Sequence, residues 1–481
     1  WPAAEFIVGN PPFLGGKKLR GELGDDYVDA LFSVWRERVR PEADLCCYWF
    51  EKARRQVEAG QCRRAGLLAT QGIRGGANRG VLERIKESGD IFFAVSDRDW
   101  VLDGANVHVS MVGFDNGEEG ERSLDGKAVE DINADLSAGT NVTAAARLPG
   151  HLDAVFMGTT KGGAFDIDEG TALGFLRTPT PHGQPNSNVI VPWVNGRDVT
   201  SRSRSMWVID FGVGMSSDQA ARYEAPYEYV RANIKPGREK NARESYRRLW
   251  WQHVEPRPAL REKLTAFPRF LVTPRVSKHR LFVWMESPTL PDCQLFAFAR
   301  SDDYFFGVLH SRIHEVWARA QGTQVRERES GLRYTPTTCF ETFAFPEATA
   351  GQQAAVAAAA KELDELRQRW LNPPEWTRME VLEFPGSAAG PWGRYVHDPD
   401  SRGVGTVRYP RRVAKDAACA AKLQKRTLTN LYNERPTWLE LAHRKLDEAV
   451  FAAYGWDAGL SDDALLAALL ALNRERAGGS P

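Results

Sequence analysis

The eight residues Phe6-Ile-Val-Gly-Asn-Pro-Pro-Phe13 constrain this chain more than any other stretch of it. An apolar run of strand length ends in two consecutive prolines. Proline neither donates to a sheet ladder nor continues a helix interior, so the strand must stop there and open into a loop. That loop carries an amide at Asn10, a backbone carbonyl at Pro11, a second ring constraint at Pro12 and an aromatic face at Phe13. Two acceptors and a flat ring suit a heterocycle bearing an exocyclic amine. Taken alone, the same tetrapeptide also fits a Pro-Pro turn with a satisfied Asn and a packed Phe.

The surroundings favour an α/β sheet. Runs of strand length at 6–9, 66–70, 91–95 and 107–114 alternate with helical stretches at 26–39 and 44–58. Arg74-Gly-Gly-Ala-Asn-Arg79 falls between a strand and the helix expected over 81–88. Loops at strand C-termini are where α/β sheets hold ligands, and glycine-rich N–H groups at a helix start suit a phosphate. A turn serving geometry alone is an equal alternative, and Arg74 is the candidate backbone contact. His108, on the last of these strands, reads as a packed residue in preference to a catalytic base.

Size and composition add bounds. With 481 residues, 42% apolar and 26% charged, the chain has material for several cores. No run reaches the roughly 18 apolar residues of a membrane span. Cys46, Cys47, Cys62, Cys293, Cys339 and Cys419 form no Cys-x-x-Cys pair and have no histidine at metal-ligand spacing. That pattern predicts no metal site and a reducing, cytoplasmic setting. Net charge is zero, yet fourteen Lys or Arg against four acids lie between Arg231 and Arg280, interleaved with Tyr246, Trp250, Trp251, His253 and Phe270. Such a stripe releases counterions from DNA and makes affinity fall with salt. Lys235, Arg243 and Arg248 are its candidate phosphate contacts. Arg275, Lys278, His279 and Arg280 are candidates for base edges, where arginine pairs best with guanine.

Asn10-Pro-Pro-Phe13 resembles the catalytic motif of DNA adenine-N6 methyltransferases, and the Leu-Gly-Gly-Lys-Lys that follows is similar to the gamma-type, single-chain type IIL restriction-modification group. The similarity continues through Gly66-Leu-Leu-Ala-Thr-Gln-Gly-Ile-Arg-Gly-Gly-Ala-Asn-Arg79, Trp100, Asn106-Val-His-Val-Ser-Met-Val-Gly-Phe114, Pro192-Trp-Val-Asn-Gly-Arg-Asp198, Thr273-Pro-Arg-Val-Ser-Lys-His-Arg280 and Tyr334-Thr-Pro-Thr-Thr-Cys-Phe-Glu-Thr-Phe343. This resemblance implies Asn10, Pro11, Pro12 and Phe13 as catalytic residues, S-adenosylmethionine as methyl donor, and double-stranded DNA as partner. It also implies a partial class I, Rossmann-like methyltransferase sheet, a mixed α+β target recognition domain and a helical C-terminal region.

One departure stands out. The family's donor-binding Phe-x-Gly-x-Gly loop lies upstream of the catalytic motif, and here only nine residues precede Asn10. The donor-binding residues are therefore unknown within this chain, and a missing N-terminal portion of the same protein is the expected partner, without which the chain is inactive. Gly212-Val-Gly214, after an apolar run, is the nearest lookalike, but no βαβ unit follows it. The expected layout is a catalytic half at 1–115, a connector at 116–147, target recognition at 148–346, a helix at 347–371, an irregular linker at 372–415 and helices over 416–481. The alternative function is a non-catalytic, sequence-specific DNA-binding module.

Overall fold

The apolar run before the prolines forms β1 (Phe6–Gly9), which pairs in parallel with β2 (Arg64–Thr70), Phe6 opposite Arg64 and Gly9 opposite Leu67. In this computed structural model, residues 1–102, 105–324 and 331–478 are described. The long strands β3 (Asp90–Leu102) and β4 (Ala105–Asp115) run antiparallel, and β4 lies against β2. With β5 (Arg122–Leu124) and β6 (Lys127–Val129) the sheet order is β1-β2-β4-β3-β5-β6, so β1 is an edge strand.

Between β1 and β2 the chain forms α1 (Leu19–Leu23), α2 (Asp25–Val34) and α3 (Cys46–Glu58); α4 (Gly76–Ser88) follows β2. The apolar stripes of α3 and α4, among them Cys47, Phe50, Ala53, Val81, Leu82 and Ile85, bury Ala65, Leu67, Ala69, Val112 and Phe114 on one sheet face. A charge cluster joins the two helices. The fully buried Glu51 accepts from Arg54 Nε at 2.8 Å and from Arg84 Nε at 3.1 Å. Breaking one partner of such a cluster strands the others in a low-dielectric interior.

The opposite sheet face is different. Phe6, Val8, Gly66, Leu68, Phe92, Phe93, Met111 and Gly113 line a shallow apolar trough of about 400 Å³. Phe6 is 54%, Val8 85% and Phe93 38% exposed.

The chain divides into two compact units, Trp1–Ala145 and Ala146–Pro481. The stretch 116–147, expected as a connector, therefore belongs almost wholly to the first unit. It supplies β5 and β6, and Ile132, Ala134 and Leu136 enter the first core. Its polar composition reflects an exposed sheet edge.

The second unit contains two four-stranded sheets. One orders Leu290–Pro291, Ile190–Val194, Trp207–Ile209 and Asp166–Ile167; the other orders Val283–Glu286, Arg269–Pro274, Leu295–Phe298 and Val155–Met157. Trp207–Ile209 pairs antiparallel with both neighbours, and Gly212 and Gly214 lead only to the short helix Ser217–Ala220. No βαβ unit exists there.

The expected irregular linker at 372–415 is instead a long antiparallel ribbon, Thr377–Ser387 against Val404–Ala414, with Val396–His397 alongside. Leu382, Phe384, Trp392 and Val407 join the core built on Trp193 and Trp207. Trp392 stacks on Trp207 at 5.7 Å and donates from Nε1 to the Ile190 carbonyl at 3.0 Å. The glycines that suggested irregularity permit close approach: a Cβ on Gly386 would lie 2.3 Å from Val407 Cγ2.

The helix expected at 347–371 spans Ala350–Leu371, opened by a reciprocal Thr349–Gln352 cap. It packs against Asp303–His310 and Thr437–Tyr454. The last helix, Asp462–Gly478, follows Ser461, whose Oγ accepts from the Ala464 N–H at 3.2 Å. Leu446 and Val450 are fully buried packing residues.

Four histidines of this unit are held neutral. Burial lowers His253 and His443 to about 4 and His314 to about 3, and drives His310 well below its ordinary value. The buried Arg367 guanidinium, 3.0 Å from His310 Nε2, opposes its protonation further. An unfolded histidine takes a proton near 6.5, so below that pH the unfolded chain binds more protons and stability falls. Asp447, raised by burial to about 6, and Asp364, also raised by burial, act in the opposite direction but are two groups against four. The unfolding temperature should drop by at least about 5 °C between pH 7 and pH 5 at constant ionic strength. Scanning calorimetry with a flat or rising profile would contradict neutral burial of these rings.

Candidate functional site

Asn10 follows the last residue of β1, at the rim where the parallel strands β1 and β2 end. Pro11 is buried and anchors the turn, Pro12 is exposed, and Phe13 is half-buried. The Pro12 carbonyl accepts from the Leu14 N–H at 3.2 Å, and the Leu14 carbonyl accepts from the Leu45 N–H at 2.8 Å. Among the described residues, neither the exposed Asn10 amide nor the Pro11 carbonyl has a hydrogen-bond partner. The two acceptors singled out from the sequence therefore remain uncommitted on a loop held from behind.

The hold comes from Asp44 and Asn78. Asp44 Oδ1 accepts from the Gly16 N–H at 2.9 Å, and its Oδ2 accepts from Asn78 Nδ2 at 2.8 Å. Asn78 Oδ1 accepts in return from the Asp44 N–H at 2.8 Å, and Nδ2 also reaches the Gly72 carbonyl at 3.3 Å. One buried amide thus ties the loop after β1 to the loop after β2. Gly16 has no room for a side chain, since a Cβ would sit 2.3 Å from the Glu42 carbonyl oxygen. Sequence reasoning assigned no role to Asp44 or Gly16 and quoted Asn78 only within a motif. Their separations of 28 and 34 residues leave no local signal.

Arg74 closes the 3₁₀ turn Gln71–Arg74 ahead of α4 and donates from Nε to the Asp135 carbonyl at 2.9 Å, an intra-unit tie. Nδ1 of His108 lies 2.7 Å from Asp97 Oδ1 and its Nε2 3.3 Å from Asp99 Oδ1. Among the described residues no group of His, Cys, Asp and Glu has metal-holding geometry.

The basic stripe is not one surface. Arg238 is buried and donates to the carbonyls of Lys161, Gly162 and Gln252. Arg261 pairs with Asp210, and Arg269 with Asp303 at 2.8 Å. Arg280, expected at base edges, is 8% exposed, donates to the Pro274 carbonyl at 3.0 Å and to Ser277, and lies 5.0 Å from the Tyr334 ring. Burial lowers it to about 10. Its guanidinium is spent on shaping its own loop, so Arg280 is withdrawn from the candidates for base contact.

The other candidates face outward to different degrees. Lys235 Nζ lies 5.2 Å from the Trp250 ring and 3.9 Å from Glu239. Exposed Arg243 donates to Tyr246 Oη at 2.7 Å, whereas exposed Arg248 has no partner among the described residues. Lys278 is exposed; Arg275 is half-buried, its backbone bonded to Gln294 and Tyr334. His279 Nε2 lies 2.9 Å from Asn433 Oδ1.

The first unit thus carries Asn-Pro-Pro-Phe at a sheet rim, and a mixed α/β second unit follows it in the chain. Residues 3–124 match the DNA-methyltransferase domain of MmeI, and residues 231–347 match the MmeI target recognition domain. DNA methyltransferase A of Bacillus subtilis (strain 168) is 22% identical over 500 residues, covering 98% of this chain and 48% of that protein. The type IIL restriction-modification enzyme MmeI, solved in complex with DNA, superimposes with a TM-score of 0.70 at 19% identity, covering 98% of this chain and 57% of that one. The chain thus spans about half the length of these relatives.

Two outcomes follow. Asp44→Ala, which leaves the Gly16 N–H without its acceptor and Asn78 Nδ2 with only the Gly72 carbonyl, should destabilise the first unit by about 1–3 kcal/mol in denaturant titration; an unchanged midpoint would show the tie to be dispensable. Filter binding of a duplex against salt should lose about 0.9 in log–log slope for each phosphate contact removed by replacing Lys235, Arg243 and Arg248 with Gln. An unchanged slope would remove those residues from the interface.

Proposed function

We propose that this chain is the base-handling and DNA-reading portion of a site-specific DNA adenine-N6 methyltransferase in a restriction-modification system. The observation that carries this proposal is the uncommitted pair of acceptors, Asn10 Oδ1 and the Pro11 carbonyl, on a rigidly backed rim. The target adenine is turned out of the duplex. Its N6 hydrogens bond to these two oxygens, which draws the amine lone pair out of conjugation and toward the incoming methyl group. Phe13 lies on the base, and stacking of about 1–3 kcal/mol offsets much of the cost of extrusion. The proton leaves after transfer, so no strong base is required.

S-adenosylmethionine supplies the methyl group. The residues of this chain do not fit a donor-binding loop, because Gly212-Val-Gly214 follows a strand paired antiparallel on both sides. The donor is instead held by an upstream portion of the same protein. Two features support that assignment: β1 is an edge strand, and the trough bounded by Phe6, Val8, Leu68 and Met111 presents apolar surface that sheets of this kind ordinarily cover with helices. The relatives have the additional length required.

In the complete gene product, Asn10→Ala should lower transfer of labelled methyl groups to a plasmid bearing the site by about 10²-fold or more, as removal of one preorganised polar group does elsewhere. Binding of the specific duplex should stay within about threefold. Methylation that survives the substitution would overturn the assignment.

A further inference from the structure

Residues beyond 347 lie outside both matched domains, yet they carry a cleft with a defined chemistry. It has a volume of about 640 Å³ and is lined by Trp370, Trp376, Lys422, Lys425, Arg426 and Glu434, with Ala421 between. Trp370 ends the helix Ala350–Leu371, and Trp376 precedes the ribbon strand Thr377–Ser387. The Arg426 guanidinium lies 4.5 Å from the Trp370 ring and 5.1 Å from that of Trp376; Lys422 Nζ is 5.5 Å from Trp376. The indole faces hold the Arg426 guanidinium and the Lys422 ammonium in place on the cleft lining.

The cleft wall is fixed from behind. Arg202 donates to the Leu371 carbonyl at 2.9 Å and to Asn372 Oδ1 at 2.8 Å. The Lys415 N–H donates to the Trp376 carbonyl at 3.0 Å. Among the described residues, Lys422, Lys425 and Arg426 have no carboxylate within ion-pair distance. Glu434 is the one acid on the lining, so the cleft carries excess positive charge. Exposed Arg412 and Lys415 continue that charge along the adjoining end of the ribbon.

Position completes the case. The short helix Leu428–Glu434 begins two residues after Arg426 and ends at Glu434 on the cleft lining. Asn433, beside it, bonds His279 in the candidate base-reading loop at 2.9 Å, and Thr429 donates to the Thr200 carbonyl at 2.8 Å. A seven-residue helix, about 10 Å long, therefore joins the cleft to that loop.

We propose that this tryptophan-backed cationic cleft binds the sugar-phosphate backbone of duplex DNA flanking the recognised word, positioning the duplex beside the reading loop without reading sequence. It rests on the DNA-binding function proposed above. The exposed pair Lys422→Gln with Lys425→Gln should weaken binding of the full-length protein to a long duplex about tenfold, with equal effect on specific and unrelated sequences, and lower the salt slope by about 2. The same charge change at Lys361 and Arg444, exposed on neighbouring helices, should alter neither. Binding and slope unchanged in the cleft variant, or an equal loss in the Lys361 and Arg444 variant, would overturn the cleft assignment while leaving DNA binding intact. An unaltered protein that binds no duplex would overturn both.

Discussion

The reciprocal pairing of Asp44 with Asn78 is the contact on which the candidate site depends. Two loops meet at the ends of β1 and β2, and each exposes backbone groups that would otherwise reorganise. Asp44 takes the Gly16 N–H, while Asn78 takes the Asp44 N–H and reaches the Gly72 carbonyl. These bonds hold the loop from behind, while the exposed Asn10 amide meets solvent and needs no protein partner. A polar group left free beside its own backbone usually folds back onto it; here the prolines supply no N–H to which it could turn.

The second unit uses its arginines in a way that composition conceals. Of the dense basic run between Arg231 and Arg280, Arg238, Arg261, Arg269 and Arg280 tie carbonyls or carboxylates of its own framework. Arginine suits this work because five fixed donors satisfy several acceptors at once. The charge available to a polyanion is then carried by fewer residues, among them Arg243, Arg248 and Lys278, and by the cleft cations that meet no carboxylate among the described residues.

The ribbon at 377–414 shows why the sequence misled locally. Its Pro, Gly and Trp content reads as loop, since proline and glycine punctuate regular structure in most chains. Yet Gly386 and Gly405 lie where a Cβ would strike Val407 or the His397 carbonyl, and Trp392 fills the core beneath Trp207. Similarly, the polar stretch after Asp115 proved to be the edge of the first sheet. In both places the deciding partner lies far away in sequence.

What the sequence determined by itself was short-range: the strand that must end at Pro11, the alternation of strands and helices around it, the helix leading up to Leu371, and a motif set whose order matches MmeI-type methyltransferase and recognition domains. These follow from dihedral limits and periodicity, which act over a few residues. Tertiary structure alone decided which polar groups stay free. The burial of Arg280, the Asp44–Asn78 tie and the charge facing the Trp370–Trp376 cleft each depend on contacts between distant segments. Hydrogen-bond competition and desolvation are settled only when those segments pack.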